Sequence, residues 1–440
     1  MDGEDVKKVR NLFRGNFAKS VVMISGSTVV AQALNFLLST IITRIYTPEQ
    51  YGVLTVYSSI LGLIVIVASL NYEWGIPIAD NDRKAMNVLQ LSFAILLVFS
   101  AGVLVFFSVF GKRVLSSLNA KGLVNYIYLI PIGVFLSGSY NILLQWAYRK
   151  KDFRAISKTK IAQSIVGNGT KIGLGVAGTG SVGLIIGQIL SQCAGIYTFM
   201  RTLVDNEENR HIGFDWDGII TAAKRYRNFP IFSAPSSLLN TLGLQLPVLF
   251  ITSFYGGKVL GFYGLANSVV NLPMVLIGTS IADVLYAEAA GGGKNDPRKV
   301  NELMNKLVKR LLIVGLIPLS VLLLFGPFLF ALVFGKNWYE AGVYARIIAF
   351  LVFFRFLFTP FDRLFAVFER QKISLFLDSL RVVLVVTAFG IAKLLDLSSY
   401  LAIALYSLAM CIVYCTTYVL VKRMLRQEIR RKENEALHFD

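Results

Sequence analysis

The stretch AMNVLQLSFAILLVFSAGVLVFFSVF, residues 85–110, carries no charged side chain and no strict alternation of polar and apolar positions. At about 1.5 Å of rise per residue, a helix of this length crosses about 30 Å of hydrocarbon. A barrel strand would instead alternate over roughly ten residues. Working outward, comparable apolar runs lie at about 20–45, 51–79, 123–147, 156–176, 181–200, 229–254, 259–287, 311–334, 341–368, 373–395 and 399–421. The chain therefore reads as an all-α polytopic membrane protein with twelve transmembrane helices. Composition agrees: of 440 residues, 55% are hydrophobic and 16% charged, and mean hydropathy is +0.62. A soluble domain carries about a quarter charged residues, so an ordinary soluble enzyme is excluded.

A net charge of +18 would suggest nucleic acid in a soluble chain, but its distribution gives another meaning. Lys and Arg gather in the N-terminal arm, the even-numbered connections and the C-terminal tail. The opposite connections hold Arg44, Lys112, Arg113, Lys121, Lys258, Lys336 and Lys393. Basic loops stay cytoplasmic, so both termini are expected inside, in the cytoplasmic (inner) membrane, with no nucleic-acid partner. The arm at 1–19 contains acids and lacks a small-residue cleavage site, which reads as a segment along the anionic leaflet rather than a signal peptide. Cys193, Cys411 and Cys415 fall inside spans and read as small apolar residues.

The longest polar connection, 201–228, divides the chain into six-helix bundles at 20–200 and 229–421, followed by a basic tail at 422–440. TPEQYGVLTVYSS opens span two and KVLGFYGLANSVV opens span eight, placing Tyr51-Gly52 in register with Tyr263-Gly264. Such parallel repeats favour a transporter whose halves expose a cavity to each side in turn. A membrane glycosyltransferase or polymerase is the rival of different class. The two histidines, His211 and His438, lie outside the spans, so no His-based metal centre is expected at depth. There is no G-x-x-x-x-G-K-[ST] motif, and GLGVAG at 173–178 ends a span without a βαβ context. No metal or organic cofactor is expected; H+ or Na+ coupling stays open.

Charges left within the spans carry the functional reading. Lys171, Arg346, Arg355, Arg363 and Arg381 remain there, and a charge at bilayer depth faces a cavity or a partner. Arg355, Thr359 and Asp362 share one side of span ten at i, i+4 and i+7, and Asp378 and Arg381 share one side of span eleven. One reading is an internal ion pair that neutralises a structural charge. The other is a basic patch for phosphate, to which guanidinium pairs bidentately. In the first half the candidates are Lys171 and Arg44; Glu73 and Asp283 are acids suited to ion coupling or to a structural role. Pro230, Pro235 and Pro247 in span seven and Pro273 in span eight remove backbone hydrogen bonds and mark breaks.

Several strings resemble a known family. LNYEWGIPIADNDRKAMNVLQLS, YRNFPIFSAPSSLLNTLGLQLPVLF, GFYGLANSVVNLPMVLIGTSIADVLYAEAA and FAVFERQKISLFLDSLR are similar to the O-antigen-type polysaccharide-transport flippases of the multidrug/oligosaccharidyl-lipid/polysaccharide exporter superfamily. The resemblance implies a V-shaped fold of two bundles. It also implies flipping of an undecaprenyl-pyrophosphate-linked oligosaccharide to the outer leaflet by alternating access, for lipopolysaccharide or other surface-glycan synthesis. Polymerase and glycosyltransferases are the implied partners, beside membrane lipids. Matching positions are Arg44, Pro48, Tyr72, Glu73, Pro230, Asn271, Pro273 and Arg370. The chain departs where arginine is expected at Asn71 and Ser268, which turns attention to Lys171, Arg355 and Arg381. A multidrug or organic-cation exporter of the same superfamily is the nearest alternative.

Overall fold

The computed structural model describes residues 16–204, 215–278, 281–282, 285, 288–289, 296–368 and 370–437. Every regular element among them is helical. The chain divides into two compact units between Thr241 and Leu242, inside the segment read as 229–254.

The first unit contains α1 (Asn16–Ile45), α2 (Pro48–Val65), α3 (Asp82–Ser117), α4 (Leu129–Arg149), α5 (Phe153–Val176), α6 (Ser181–Val204) and the short α7 (Trp216–Arg225). The helix starts are written locally. Thr47 and Gln50 form a capping box with Pro48 in the first turn, while Asn81, Asp152 and Asp215 each accept from the amide three residues on. Two apolar clusters hold the bundle. Ile42, Tyr46 and Leu54 pack on Leu184, and Leu143 and Ala147 pack on Ile156 and Phe199.

The connections predicted to be basic meet at one end of this unit. Arg149 Nε donates to Asp82 Oδ1 at 2.8 Å and its Nη1 to the Ile76 and Ala79 carbonyls at 3.1 and 2.7 Å. Lys150 also pairs with Asp82. Arg83 pairs with Asp215 at 3.2 Å and Arg225 with Asp80 at 3.1 Å, tying α7 to the same end. The Gly218 amide, with Arg83, holds the Asp215 carboxyl below its usual range. The Lys84 and Arg225 side chains do the same for Asp80.

The second unit begins in α8 (Ala234–Val270, its first turns in the other unit) and continues through α9 (Pro297–Phe334), α10 (Tyr339–Phe358), α11 (Leu364–Val367), α12 (Gln371–Leu394) and α13 (Ser399–Leu437). Its core is aromatic. Phe262 meets Trp338 edge-on at 6.1 Å and stacks on Tyr344 at 6.4 Å, and Phe250 stacks on Phe389 at 5.3 Å.

Nine helices among the described residues are long and apolar enough to cross a membrane, against twelve spans read from the sequence. The segments at 51–79 and 156–176 fall outside the nine, and 229–254 and the first part of 259–287 lie on one helical run, Phe229–Val270. That run is broken at Gly256, whose φ of 80° suits glycine.

Two boundaries are corrected. Span two stops at Val65, because Leu70 and Asn71 take positive φ before a 3-10 turn at Tyr72–Gly75. Span ten runs on to Val367 as read, with a tighter 3-10 turn at Thr359–Phe361 containing Pro360. Residues 422–437, read as a tail, continue α13 with Met424, Leu425 and Glu428 buried. The arm at 1–15, the linker at 205–214, Asp283, His211 and His438 lie outside the described residues.

Two outcomes follow. Gly342 on α10 leaves no room for a Cβ against Pro327 and the Gly326 carbonyl, so Gly342→Leu should lower unit stability by about 1–3 kcal/mol through overpacking, read as a drop in melting temperature in detergent. Depressed carboxyl pKa values contribute stability above about pH 4 and lose it as pH falls through the folded values. Hydrogen-exchange protection of Trp216–Arg225 should therefore be the same at pH 7 and pH 5; a loss between them contradicts this carboxylate anchoring.

Candidate functional site

In the second unit, α8, α10, α12 and α13 bring charged and hydroxyl groups to one place. Arg355, on the last turn of α10, donates from Nη1 to Asn271 Oδ1 at 3.3 Å. Asn271 is held in turn by its Nδ2, which donates to the Asn267 carbonyl at 2.7 Å and to Asn267 Oδ1 at 2.8 Å. Arg381 Nη1 pairs with Asp378 Oδ1 at 3.1 Å, with the two side chains 11% and 21% exposed. Asp362 lies within electrostatic reach of Arg381, Asp378 and Arg355. Three buried tyrosines lie near the same charges: Tyr263, Tyr406 and Tyr414 are each within electrostatic reach of Arg355, and Tyr414 also of Arg381 and Asp362.

Hydrogen-bonding capacity is left over. Arg381 Nε, Asp362 Oδ1 and Thr359 Oγ1 are buried with no hydrogen-bond partner among the described residues. Buried polar atoms are nearly always satisfied, so such a cluster is a place where a polar ligand completes the network. The phase argument for span ten assumed a continuous helix. The chain turns tighter at Thr359, yet Asp362 stays within range of Arg355. Next to the cluster, Pro273, Pro318, Val352, Phe353 and Phe356 help to line an apolar cavity of about 460 Å³, which suits hydrocarbon rather than a charged head.

The prolines sit where the helices are irregular. Pro230 lies in a π turn, Phe229–Ser233, that leads into α8 with Pro235 at its second residue. Pro247 lies inside α8, and Pro273 precedes a second π turn, Met274–Gly278. π turns inside helices recur at functional sites.

In the first unit, Lys171 is one rung of a polar ladder between α5 and its neighbours. Lys160 Nζ donates to Thr28 Oγ1 at 2.6 Å. Gln163 Nε2 donates to Gln192 Oε1 at 3.2 Å. Ser164 Oγ and Asn168 Nδ2 both donate to Asn35 Oδ1 at 2.7 Å. Lys171 Nζ donates to Gln188 Oε1 at 3.1 Å. Arg44 is not part of it: the side chain is exposed on the last turn of α1. Glu73 is buried beyond the end of α2, not within a span, and accepts from Ser69 Oγ at 2.6 Å. Lys160 was read as the margin of a basic loop, and the uncharged rungs carry no signal until helix partners are known; polar residues recurring along α5 at helical spacing were the available clue. Among the described residues no cluster of His, Cys, Asp or Glu has metal-ligand geometry.

The fold is that of a helical membrane protein. An inward-facing multidrug resistance MATE transporter of the MOP superfamily superposes with a TM-score of 0.73 at 14% identity, covering 91% of this chain and 96% of the other. The lipid II flippase MurJ, inward closed, gives 0.72 at 13%, covering 91% and 87%. The chain belongs to the polysaccharide biosynthesis protein family, whose sequence pattern matches residues 41–343. It is 22% identical to the teichuronic acid biosynthesis protein TuaB of Bacillus subtilis and 23% identical to the lipopolysaccharide biosynthesis protein WzxC of Escherichia coli. Each match covers 71% of this chain but only 64% and 62% of the relative, so the chain spans less than two thirds of their length.

Removing one member of a buried pair strands the other charge, whereas removing both is often nearly neutral. Asp378→Asn should therefore lower the melting temperature, and Asp378→Asn with Arg381→Leu should regain most of it. Additive losses in this cycle would show that the two side chains are not energetically paired.

Proposed function

We propose that the protein flips an undecaprenyl-pyrophosphate-linked oligosaccharide from the cytoplasmic to the outer leaflet of the inner membrane, by alternating access. The observation that carries this reading is the pair of guanidinium groups, Arg355 and Arg381, set deep in a helical bundle among unsatisfied polar atoms. A diphosphate cannot cross hydrocarbon with its charge unmatched, and guanidinium supplies parallel donors to its oxygens. Membership of a polysaccharide biosynthesis family and a fold shared with a lipid II flippase support the same choice.

In this reading Arg355 and Arg381 hold the diphosphate, and the polyprenyl tail stays in lipid. Asp362 and Asp378 exchange partners with the substrate, and Asp362 takes part in any H+ or Na+ coupling. Both termini are cytoplasmic. Glycosyltransferases supply the lipid-linked substrate and a polymerase consumes it. The chain acts as a transporter and makes or breaks no covalent bond.

Arg355→Ala should lower the flipping of a defined lipid-linked oligosaccharide in proteoliposomes at least tenfold, with the protein still monodisperse and folded. Unchanged flipping would remove Arg355 from the mechanism. Wild-type protein that leaves this lipid in place but confers resistance to organic cations would replace the reading with drug export.

A further inference from the structure

The short helix α7 presents a different chemistry on each of three sides. Ile219, Ala222 and, just past its end, Tyr226 are buried against the bundle. Trp216 and Ile220, at i and i+4, form a stripe beside that face and are 62% and 44% exposed. Asp217, Thr221 and Arg225 are exposed on the third side, and Lys224 lies between them and the stripe. Single exposed apolar residues are ordinary; these two are set apart by where the fold puts them.

The ties that hold α7 fix its level in the unit. At its start, Arg83 pairs with Asp215, and Gly218 packs so closely on Asn87 that a Cβ would collide with the amide. Toward its end, Tyr72 Oη donates to the Ala223 carbonyl at 3.2 Å and Arg225 pairs with Asp80 at 3.1 Å. A Cβ on Gly75 would sit 3.3 Å from both the Tyr226 ring and Val88, so that end reaches the level of Val88. Ten residues of helix are about 15 Å long, yet both ends meet the level of Arg83–Val88, about 8 Å of α3. The helix therefore lies across α3 and not along it. That level is also where α3 passes from its charged first turn into the charge-free run at 85–110. A helix lying crosswise there is in the plane of the membrane interface.

The side chains suit that plane. Tryptophan is favoured at the boundary between headgroups and hydrocarbon, and an interfacial helix carries basic residues beside its apolar stripe. Arg225 is taken by Asp80, but Lys224 and Arg227 are exposed and have no ion-pair partner among the described residues. The apolar surface continues into the next span, since Ile231 and Phe232 of the following π turn are exposed as well.

We propose that α7 docks on the anionic membrane surface, with Trp216 and Ile220 seated at the acyl boundary and Lys224 and Arg227 on lipid phosphates. The docking is independent of the cargo and of the flippase reading.

Two measurements on full-length protein in nanodiscs test it. With Cys193, Cys411 and Cys415 replaced by alanine, a nitroxide is attached at Ile220→Cys or at Thr221→Cys, each in protein that elutes as a single folded species. In phosphatidylglycerol the ratio of oxygen to nickel-chelate accessibility should be several-fold higher at 220 than at 221. Equal ratios would leave the stripe in water, and a label at 220 shielded from both reagents would assign it to a protein contact; either overturns the proposal. The second measurement is hydrogen exchange across Trp216–Arg225. A basic residue near an anionic leaflet is worth about fivefold, so two should slow exchange by up to about thirtyfold in phosphatidylglycerol relative to phosphatidylcholine. The double variant Lys224→Gln with Arg227→Gln should lose that difference. Equal exchange of the wild type in the two lipids, or a difference that survives in the double variant, would overturn the docking on lipid phosphates.

Discussion

Inside a bilayer no water is at hand to answer a charge or an open backbone group, so each must find its partner within the protein or in what the protein carries. The two units meet this constraint differently. In the second, arginine is set beside aspartate, with Asn271 and three tyrosines around them. In the first, lysines rest on hydroxyl and amide oxygens with no carboxylate beside them. The charges of the second unit's cluster are close to neutral in sum and the two lysines of the first are not, although both units are built from long apolar helices.

The same constraint explains where helices break. A freed carbonyl is tolerated only against protein or a polar space, and Pro273 and the following π turn adjoin Asn271, the partner of Arg355. Pro360 likewise sits in the turn that separates Arg355 from Asp362. Backbone irregularity and buried charge thus occur together because each needs the same polar surroundings.

Much of the helical skeleton was legible because hydrophobic run length is a local property: α1, α3, α5, α6, α9 and α13 all contain the apolar segments assigned to them. The caps at Thr47 and Asn81 start their helices three residues before the apolar runs at 51 and 85 begin, because run length records hydropathy and not the polar first turn. Span two was overextended because the residues after Val65 are apolar but take turns through Leu70 and Asn71, a φ choice that hydropathy does not record. Helical phase singled out Arg355, Asp362, Asp378 and Arg381, since charges in apolar surroundings stand out. It gave no sign of Asn35, Gln163, Gln188 and Gln192, whose hydrogen bonds depend on which helix lies opposite. Arg44 stands out in sequence and lies exposed at a helix end.

Likeness of fold at 13–14% identity to both a drug exporter and a lipid flippase means that the scaffold leaves the cargo open and the polar side chains decide it. A site of bare cations would bind a diphosphate well and release it badly, because nothing would compete for the guanidinium groups once the anion arrived. On the flippase reading proposed above, Asp378 on Arg381, and Asp362 within reach of both arginines, would provide that competitor. An incoming phosphate would then displace carboxylate from guanidinium and the carboxylate would reclaim it on release, keeping the difference in free energy between loaded and empty states small. For a carrier that must let go on the far side, a nearly balanced exchange of partners is a better physical design than the tightest grip.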